Sequence, residues 1–378
     1  MKSDKTTPNV PTLRFKKYDT NWNRKRLSNY VKKITQKNSN NIIKNVICNS
    51  AQNGLIPQLD FFDKEIANDE NTVGYYIINN GDFVYNPRKS LNAPYGPVNM
   101  YKYEKAGIVS PLYLCFSVDE SINKSFLLQR FKSPCWYRYI YLNGDSGARH
   151  DRVSIKDDVF LSQPISLPSA EEQTDIAVFL EKIDERIEIQ NKIISKYETL
   201  IKGLCDRVFR HNKSIRLSDL VKCRTSTLQE SDIVKYCDGE YKVFGASGVI
   251  ATVDKYQFDR SGILVLKDGS NAGKVQFASG KYSVIGTSVV LIPNDVNDAK
   301  FLYFALLAVD FDKYKVGSGI PHIYFKDYSN EQIYYPEATL REKINKTLSC
   351  YETKVETEKE MLSALQKQKT FLLQSMFI

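Results

Sequence analysis

Histidine is scarce in this sequence, tryptophan is scarcer, and no two cysteines stand in a C-x-x-C pair. The 378 residues contain three histidines and two tryptophans. The seven cysteines, Cys48, Cys115, Cys135, Cys205, Cys223, Cys237 and Cys350, are odd in number and scattered. Their spacing argues against a clustered zinc site or a disulfide scaffold; it suits buried structural thiols in a reducing compartment. Long apolar runs are also missing. The stretch Phe301 to Val309 is far short of the ~20 residues that cross a bilayer. The amino terminus is polar and lacks the apolar core of a secretory signal. A cytoplasmic protein without a membrane segment is expected.

Complete catalytic motifs are missing too. Asn92-Ala93-Pro94-Tyr95 falls one residue short of the [ND]-P-P-[YF] loop of amino-group methyltransferases, and no glycine-rich cofactor loop precedes it. Glu240-x-Lys242, with Asp219 upstream, is half of a carboxylate–lysine nuclease motif, a three-residue match common by chance. Asp268-Gly269-Ser270-Asn271-Ala272-Gly273-Lys274 lacks the first glycine of a phosphate loop and the Ser/Thr that follows its lysine. The histidines form no triad, so neither a catalytic residue nor a metal ligand is assigned.

Charge is present, and unevenly placed. Of the net +9, residues 1–168 carry +9, 169–212 carry −2, and 213–335 and 336–378 carry +1 each. An excess confined to the first block points to an acidic partner such as nucleic acid.

The chain repeats itself. Arg26-Leu27-Ser28-Asn29-Tyr30-Val31-Lys32 returns as Arg216-Leu217-Ser218-Asp219-Leu220-Val221-Lys222, 190 positions later. Lys156-Asp157 returns as Lys326-Asp327 at an offset of 170, and Pro168-Ser169-Ala170 as Pro336-Glu337-Ala338 at 168. The last offset holds to Phe209 and Phe377, so the first block exceeds the second by 22 residues.

After each proline the apolar residues alternate in steps of four and three. The first series is Ile176, Leu180, Ile183, Ile187, Gln190, Ile194, Tyr197, Ile201, Leu204, Val208; the second is Ile344, Leu348, Tyr351, Val355, Glu358, Leu362, Leu365, Lys369, Leu372, Met376. That period predicts two coiled-coil helices, each about 60 Å long at ~1.5 Å per residue. Both series break at the same place, Gln190 and Glu358. Such a break either fixes register or simply reaches solvent. The intervening block, 213–335, has an expected radius of gyration of only about 14 Å. It closes readily if the second helix starts where the first ends, so antiparallel pairing with an approximate twofold axis is expected.

Both blocks mix short strands with one short helix. In the first, strands are expected at Tyr75–Ile78, Phe83–Tyr85 and Leu112–Phe116, and a helix over Asn123–Lys132. In the second, strands are expected at Ile263–Leu266 and Ser288–Ile292, and a helix over Asp298–Asp310. Without a βαβ alternation the class is α+β. The expected organisation is a globular domain over 1–168, a spacer helix over 169–212, a second domain over 213–335 and a second helix over 336–378.

The order domain, heptad helix, domain, heptad helix resembles the specificity subunit of type I restriction-modification systems. Leu167-Pro168-Ser169-Ala170-Glu171-Glu172-Gln173 is similar to that family's LPPxxEQ helix entry, and Tyr335-Pro336-Glu337-Ala338-Thr339 is a degraded copy without the Glu-Gln pair. Gly81–Tyr85, Val109–Tyr113, Phe126-Leu127, Asp268-Gly269-Ser270 with Ala272-Gly273, and Gly317-Ser318-Gly319 before His322 resemble its domain signatures. The resemblance implies two target recognition domains reading a split, asymmetric site in double-stranded DNA. It also implies partners: two modification subunits carrying S-adenosylmethionine, and restriction subunits using ATP and Mg. No cofactor is expected in this chain.

Reading DNA requires cations and N–H groups for phosphates, and Arg, Asn, Gln or Tyr for base edges. Candidates in the first domain are Arg88, Lys89, Asn92, Tyr95, Tyr101, Lys102, Arg149, His150 and Arg152. In the second they are Lys267, Ser270, Asn271, Lys274, Ser318 and His322. The competing expectation is a coiled-coil scaffold that binds proteins without reading DNA; the near-neutral second domain is compatible with it.

Overall fold

The computed structural model describes residues 9–58, 72–145, 151–210, 214–233, 239–317 and 319–378. The chain divides into two compact units, Met1–Ile189 with Leu362–Ile378, and Gln190–Met361. Two long helices, Ala170–Phe209 and Ala338–Ser375, each contribute to both. Neither is apolar enough to cross a membrane, nor is any other helix among the described residues.

In the first unit a four-stranded antiparallel sheet runs in the order Val31–Lys33, Leu114–Val118, Phe83–Tyr85, Val98–Met100. A helix, Lys124–Lys132, packs on it; Asn123 caps its start by accepting from the Phe126 N–H at 3.0 Å, and its last turn carries Arg130 and Lys132. The core is aromatic: Trp22, Phe83, Phe116, Phe126, Phe131, Trp136 and Phe160 are buried, together with Ile176, Leu180, Leu372, Met376 and Phe377 from the long helices. Full burial of one such side chain contributes about 1.5–3 kcal/mol. The helix ends are therefore part of the domain's own core.

The second unit repeats this frame. Its sheet order is Val221–Thr225, Ser288–Pro293, Gly262–Leu266, Val275–Ala278, again antiparallel throughout. The helix Ala299–Leu307 takes the place of Lys124–Lys132. Individual contacts recur. The Leu27 N–H donates to the Gln163 carbonyl, as Leu217 does to Glu331. Lys25 opposes Ile165 in a two-stranded ribbon, as Ile215 opposes Ile333. Phe126 meets Phe377 at 5.3 Å between ring centroids, and Phe301 meets Phe209 at 5.2 Å. Expected strands and helices are thus present, with two differences: the strand placed at Leu112–Phe116 runs from Leu114 to Val118, and the helix placed over Asp298–Asp310 ends at Leu307.

The long helices pair antiparallel within each unit. In the first, Ile176 and Leu180 share a core with Leu372 and Met376. In the second, Gln190 meets Glu358, and Glu352 lies close enough to Cys205 to disfavour its thiolate, after burial. Most of the expected seam is buried or half-buried. The first helix departs from it at its end, where Cys205 and Phe209 are buried and Leu204 and Val208 are less so. Two successive steps of four, from Ile201 through Cys205, bring Phe209 onto Phe301 of the domain.

The two polar breaks are partners. Gln190 is 6% exposed, and its amide donates to both the Glu358 backbone carbonyl, at 3.0 Å, and the Glu358 carboxylate. Hydrogen bonds from Lys354 and then Gln190 hold that carboxyl below its ordinary range. The solvent alternative is thereby corrected: a lone polar group in an apolar seam is costly, and equivalent positions of a repeated antiparallel pair satisfy each other.

A second polar cluster lies in the first unit. Asp184 accepts from Gln129 at 2.9 Å and pairs with Lys132 at 3.1 Å and with Lys369. Burial raises the Asp184 pKa, but the two ammonium groups outweigh it and the net shift is downward. A depressed carboxyl contributes stability above its unfolded pKa and loses it as pH falls through the folded one. D184N is expected to lower stability at neutral pH by about 1–3 kcal/mol. In urea titrations the gap to wild type should close as pH falls below the ordinary carboxylate range.

Each domain helix is tied to a long helix by the residue five places after the proline. Gln173 donates to the Pro168 carbonyl at 3.2 Å and accepts from the Asn123 N–H at 3.0 Å. At the equivalent place Arg341 donates to the Pro336 carbonyl at 2.7 Å and to Asp298 at 2.8 Å. The second helix entry is therefore not degraded; a charged pair replaces a neutral one. Asp298 and Arg341 side chains are 8% and 15% exposed, so removing one partner strands a buried charge. R341Q alone should cost about 3 kcal/mol. The double variant D298N/R341Q recreates the first junction and should recover most of that in a denaturation double-mutant cycle; equal losses in single and double variants would refute the equivalence.

Candidate nucleic-acid interface

In each sheet one end is occupied by the junction with the long helices. The Asp119 N–H donates to the Tyr30 carbonyl beside the first junction, and Asn294 to Leu220 beside the second. The loop joining the third and fourth strands leaves the opposite end: 86–97 in the first domain and 267–274 in the second. Composition alone had singled out both loops, and the fold makes them equivalent.

The first loop is closed by the Asn86 N–H donating to the Pro97 carbonyl at 3.0 Å. At Gly96, φ is +85° and a Cβ would stand 2.1 Å from the Asn86 oxygen, so only glycine fits. Ser90 and Ala93 exchange backbone hydrogen bonds, which puts Leu91 and Asn92 at an exposed tip. Lys89 donates its N–H to Asp151 at 2.8 Å, and Val153 donates to Pro87 at 2.9 Å, so the segment carrying Arg152 lies alongside. Arg88, Lys89, Asn92 and Arg152 line a cleft of about 570 Å³ with Asn49 and Asn86. Arg88 reaches Asp151 at 3.7 Å, an exposed pair that a phosphate could displace.

Two first-domain candidates serve other ends. Tyr101 is fully buried; its hydroxyl donates to the Lys105 carbonyl at 2.8 Å and accepts from Asn45 at 3.2 Å. It is a core residue, corrected because the strand end turns its ring inward. Lys102, one residue on, is exposed beside a groove of about 700 Å³ that Lys132 and Lys369 also line. Tyr95 is half-buried: its ring packs on Tyr137 at 5.0 Å and its carbonyl accepts from Tyr85, so it anchors the loop. Arg149, His150 and Ser318 lie outside the described residues, as does Cys237.

The second loop is a shorter hairpin, closed by Gly273 and Leu266 donating to Leu266 and Lys274 carbonyls. Gly269 and Gly273 adopt φ of +93° and +92°. Ser270, Asn271 and Lys274 are exposed, and Lys267 is half-buried. Because this loop joins two strands rather than a strand to a helix, it cannot cradle phosphate as a P-loop does. His322 lies alongside on the segment 321–323, its Nδ1 2.8 Å from Asp268. Asp268 and Asp151 stand within segments the sequence singles out but not among the single contact candidates, because nothing in the sequence shows that each pairs with a neighbouring His322 or Arg88. Among the described residues no group of three or more His, Cys, Asp or Glu is placed to hold a metal.

Comparisons with known proteins fit this geometry. Residues 4–199 and again 210–367 match the family described as type I restriction modification DNA specificity domain. The chain is 31% identical over 119 residues to the type I restriction enzyme MjaVIII specificity subunit of Methanocaldococcus jannaschii. That match spans 30% of this chain and 28% of the relative's length. The fold is similar to the S subunit of the type I restriction-modification system from M. genitalium, with a TM-score of 0.59, 16% identity, and coverage of 98% of this chain and 99% of that one. A second structure, from work on complex assembly and conformational transition of the type I R-M system, gives 0.55 at 14% identity, covering 93% of this chain and 96% of its own. Two matches to one family, covering most of the sequence and falling on two copies of one frame, show that this chain belongs to the type I restriction-modification DNA specificity family.

Proposed function

We propose that this chain supplies sequence specificity to a type I restriction-modification complex in the cytoplasm, and is itself non-catalytic. Each domain reads one half of a bipartite, asymmetric DNA site, and the helix pair sets the separation of the halves. Two modification subunits bring S-adenosylmethionine and methylate adenine. Restriction subunits bring ATP and Mg²⁺ for translocation and cleavage. The observation that carries this reading is one frame used twice, with unlike loops at equivalent ends. A frame kept and loops varied is what two readers of different sequences require. A protein-binding scaffold has no need of it.

Deleting one heptad from both long helices preserves the seam and shortens the pair by about 10 Å. Methylated-site mapping of the assembled complex should then show the half-site gap reduced by about three base pairs, at ~3.4 Å per pair; an unchanged gap would sink the ruler. Exchanging residues 26–168 for another such domain should change one half-site only. A scaffold would show no sequence-dependent, salt-sensitive DNA binding even with the modification subunits present.

A further inference from the structure

Arg152 and His322 share the offset of 170 found for Lys156 and Lys326, and the loop hydrogen bonds set beside them a second equivalent pair, Arg88 and Asp268, that no sequence offset aligns. In the first domain Arg88 bridges Arg152, flanked by Val153 donating to Pro87 and Lys89 donating to Asp151, at 2.9 and 2.8 Å. In the second, Asp268 bridges His322, flanked by Ile323 donating to Lys267 and Gly269 donating to Pro321, at 2.9 and 3.0 Å. The pattern is the same bond for bond. Each bridge is a non-hydrogen-bonded antiparallel pair, the kind whose two side chains stand closest and on one face. Both sit at the sheet end remote from the long-helix junction.

Several core positions of the frame keep their residue types between copies. Leu27 matches Leu217, Val31 matches Val221, Phe126 matches Phe301, and Ile165 matches Ile333. This pair instead changes from two guanidiniums to a carboxylate and an imidazole. Arg88 is 68% exposed; Arg152 is half-buried, its Nε buried without a hydrogen-bond partner among the described residues. Two adjacent forks offer donors only, which suits the O6 and N7 acceptors of guanine. In the second domain the Asp268 carboxylate accepts from Nδ1 of a ring that is 40% exposed. In the neutral ring this places the proton on Nδ1 and leaves Nε2 as the acceptor, and no described residue occupies Nε2. An acceptor at that point suits the exocyclic amine of adenine or cytosine.

We propose that these equivalent pairs are the specificity-determining positions of the two domains. Arg88 and Arg152 take a guanine edge in the first half-site. His322, positioned by Asp268, takes an exocyclic amino group in the second. The inference rests on the DNA-reading function proposed above.

The test is methylated-site mapping of the complete complex with its modification subunits, on a library randomised across both half-sites. R152K keeps the charge but loses the fork; discrimination at one guanine of the first half-site should fall about tenfold to a hundredfold, with salt-dependent non-specific affinity retained. H322A should relax one position of the second half-site, and D268A should relax that same position. A purely structural role would lower all positions of a half-site together and leave the preferred sequence unchanged. That result, or no change in any variant, overturns the proposal. Replacing residues 214–335 with another such domain serves as the control. If that swap changes the second half-site while the point variants do not, only this inference fails. If the swap also changes nothing, the broader reading fails with it.

Discussion

Where a domain meets the long helices, a single side chain holds three pieces of backbone together. Gln173 in the first copy and Arg341 in the second each tie the proline turn, the long helix that follows it, and the start of the domain helix. The opposite side of each domain helix is held by the aromatic end of the other long helix, Phe377 against Phe126 and Phe209 against Phe301. The domain helix is thereby gripped between an entering and a departing helix. Its sheet follows, and so does the direction in which the remote loops face. A small error at this junction would be magnified at the loops, which is why the junction is built from buried, fully paired groups.

The two copies reach the same geometry with different electrostatics. The first junction is neutral at Asn123 and Gln173, while Asp298 and Arg341 form an ion pair with Tyr335 added. The first also has a strap with no counterpart among the described residues of the second. Arg14 holds the fully buried Glu172 through two hydrogen bonds of 2.7 Å, and Trp22 approaches the same carboxylate at 3.4 Å. Glu172 is matched in the second copy by Leu340, which is partly exposed. A graft that exchanged domains without their junction partners would set Asp298 against Gln173 and leave a buried carboxylate unpaired.

Periodicity made the long helices legible, because a 3.5-residue period over five heptads admits few other readings. The repeat made the domain frame legible, since Arg26–Lys32 and Pro168 recur with their neighbours. What escaped was chemistry that depends on a partner. Gln173 and Arg341 look unrelated until their shared proline carbonyl is seen, so the second helix entry read as a damaged copy. Tyr101 read as a loop residue because nothing in Tyr101-Lys102 says which of the two turns inward. The Arg88–Arg152 and Asp268–His322 pairs were hidden because their two strands carry different offsets, 180 and 170. Gln190 and Glu358 showed their equivalence in the sequence, but not that they touch.

The central claim is that one frame positions two independent readers. It is tested most directly by a chain in which the first domain, residues 26–168, is replaced by a second copy of residues 216–336, each copy keeping its own helix-entry partners. Assembled with its modification subunits, that protein should methylate sites in which both halves are the second half-site of the wild-type target. Persistence of the original first half-site in a correctly assembled complex would contradict the account.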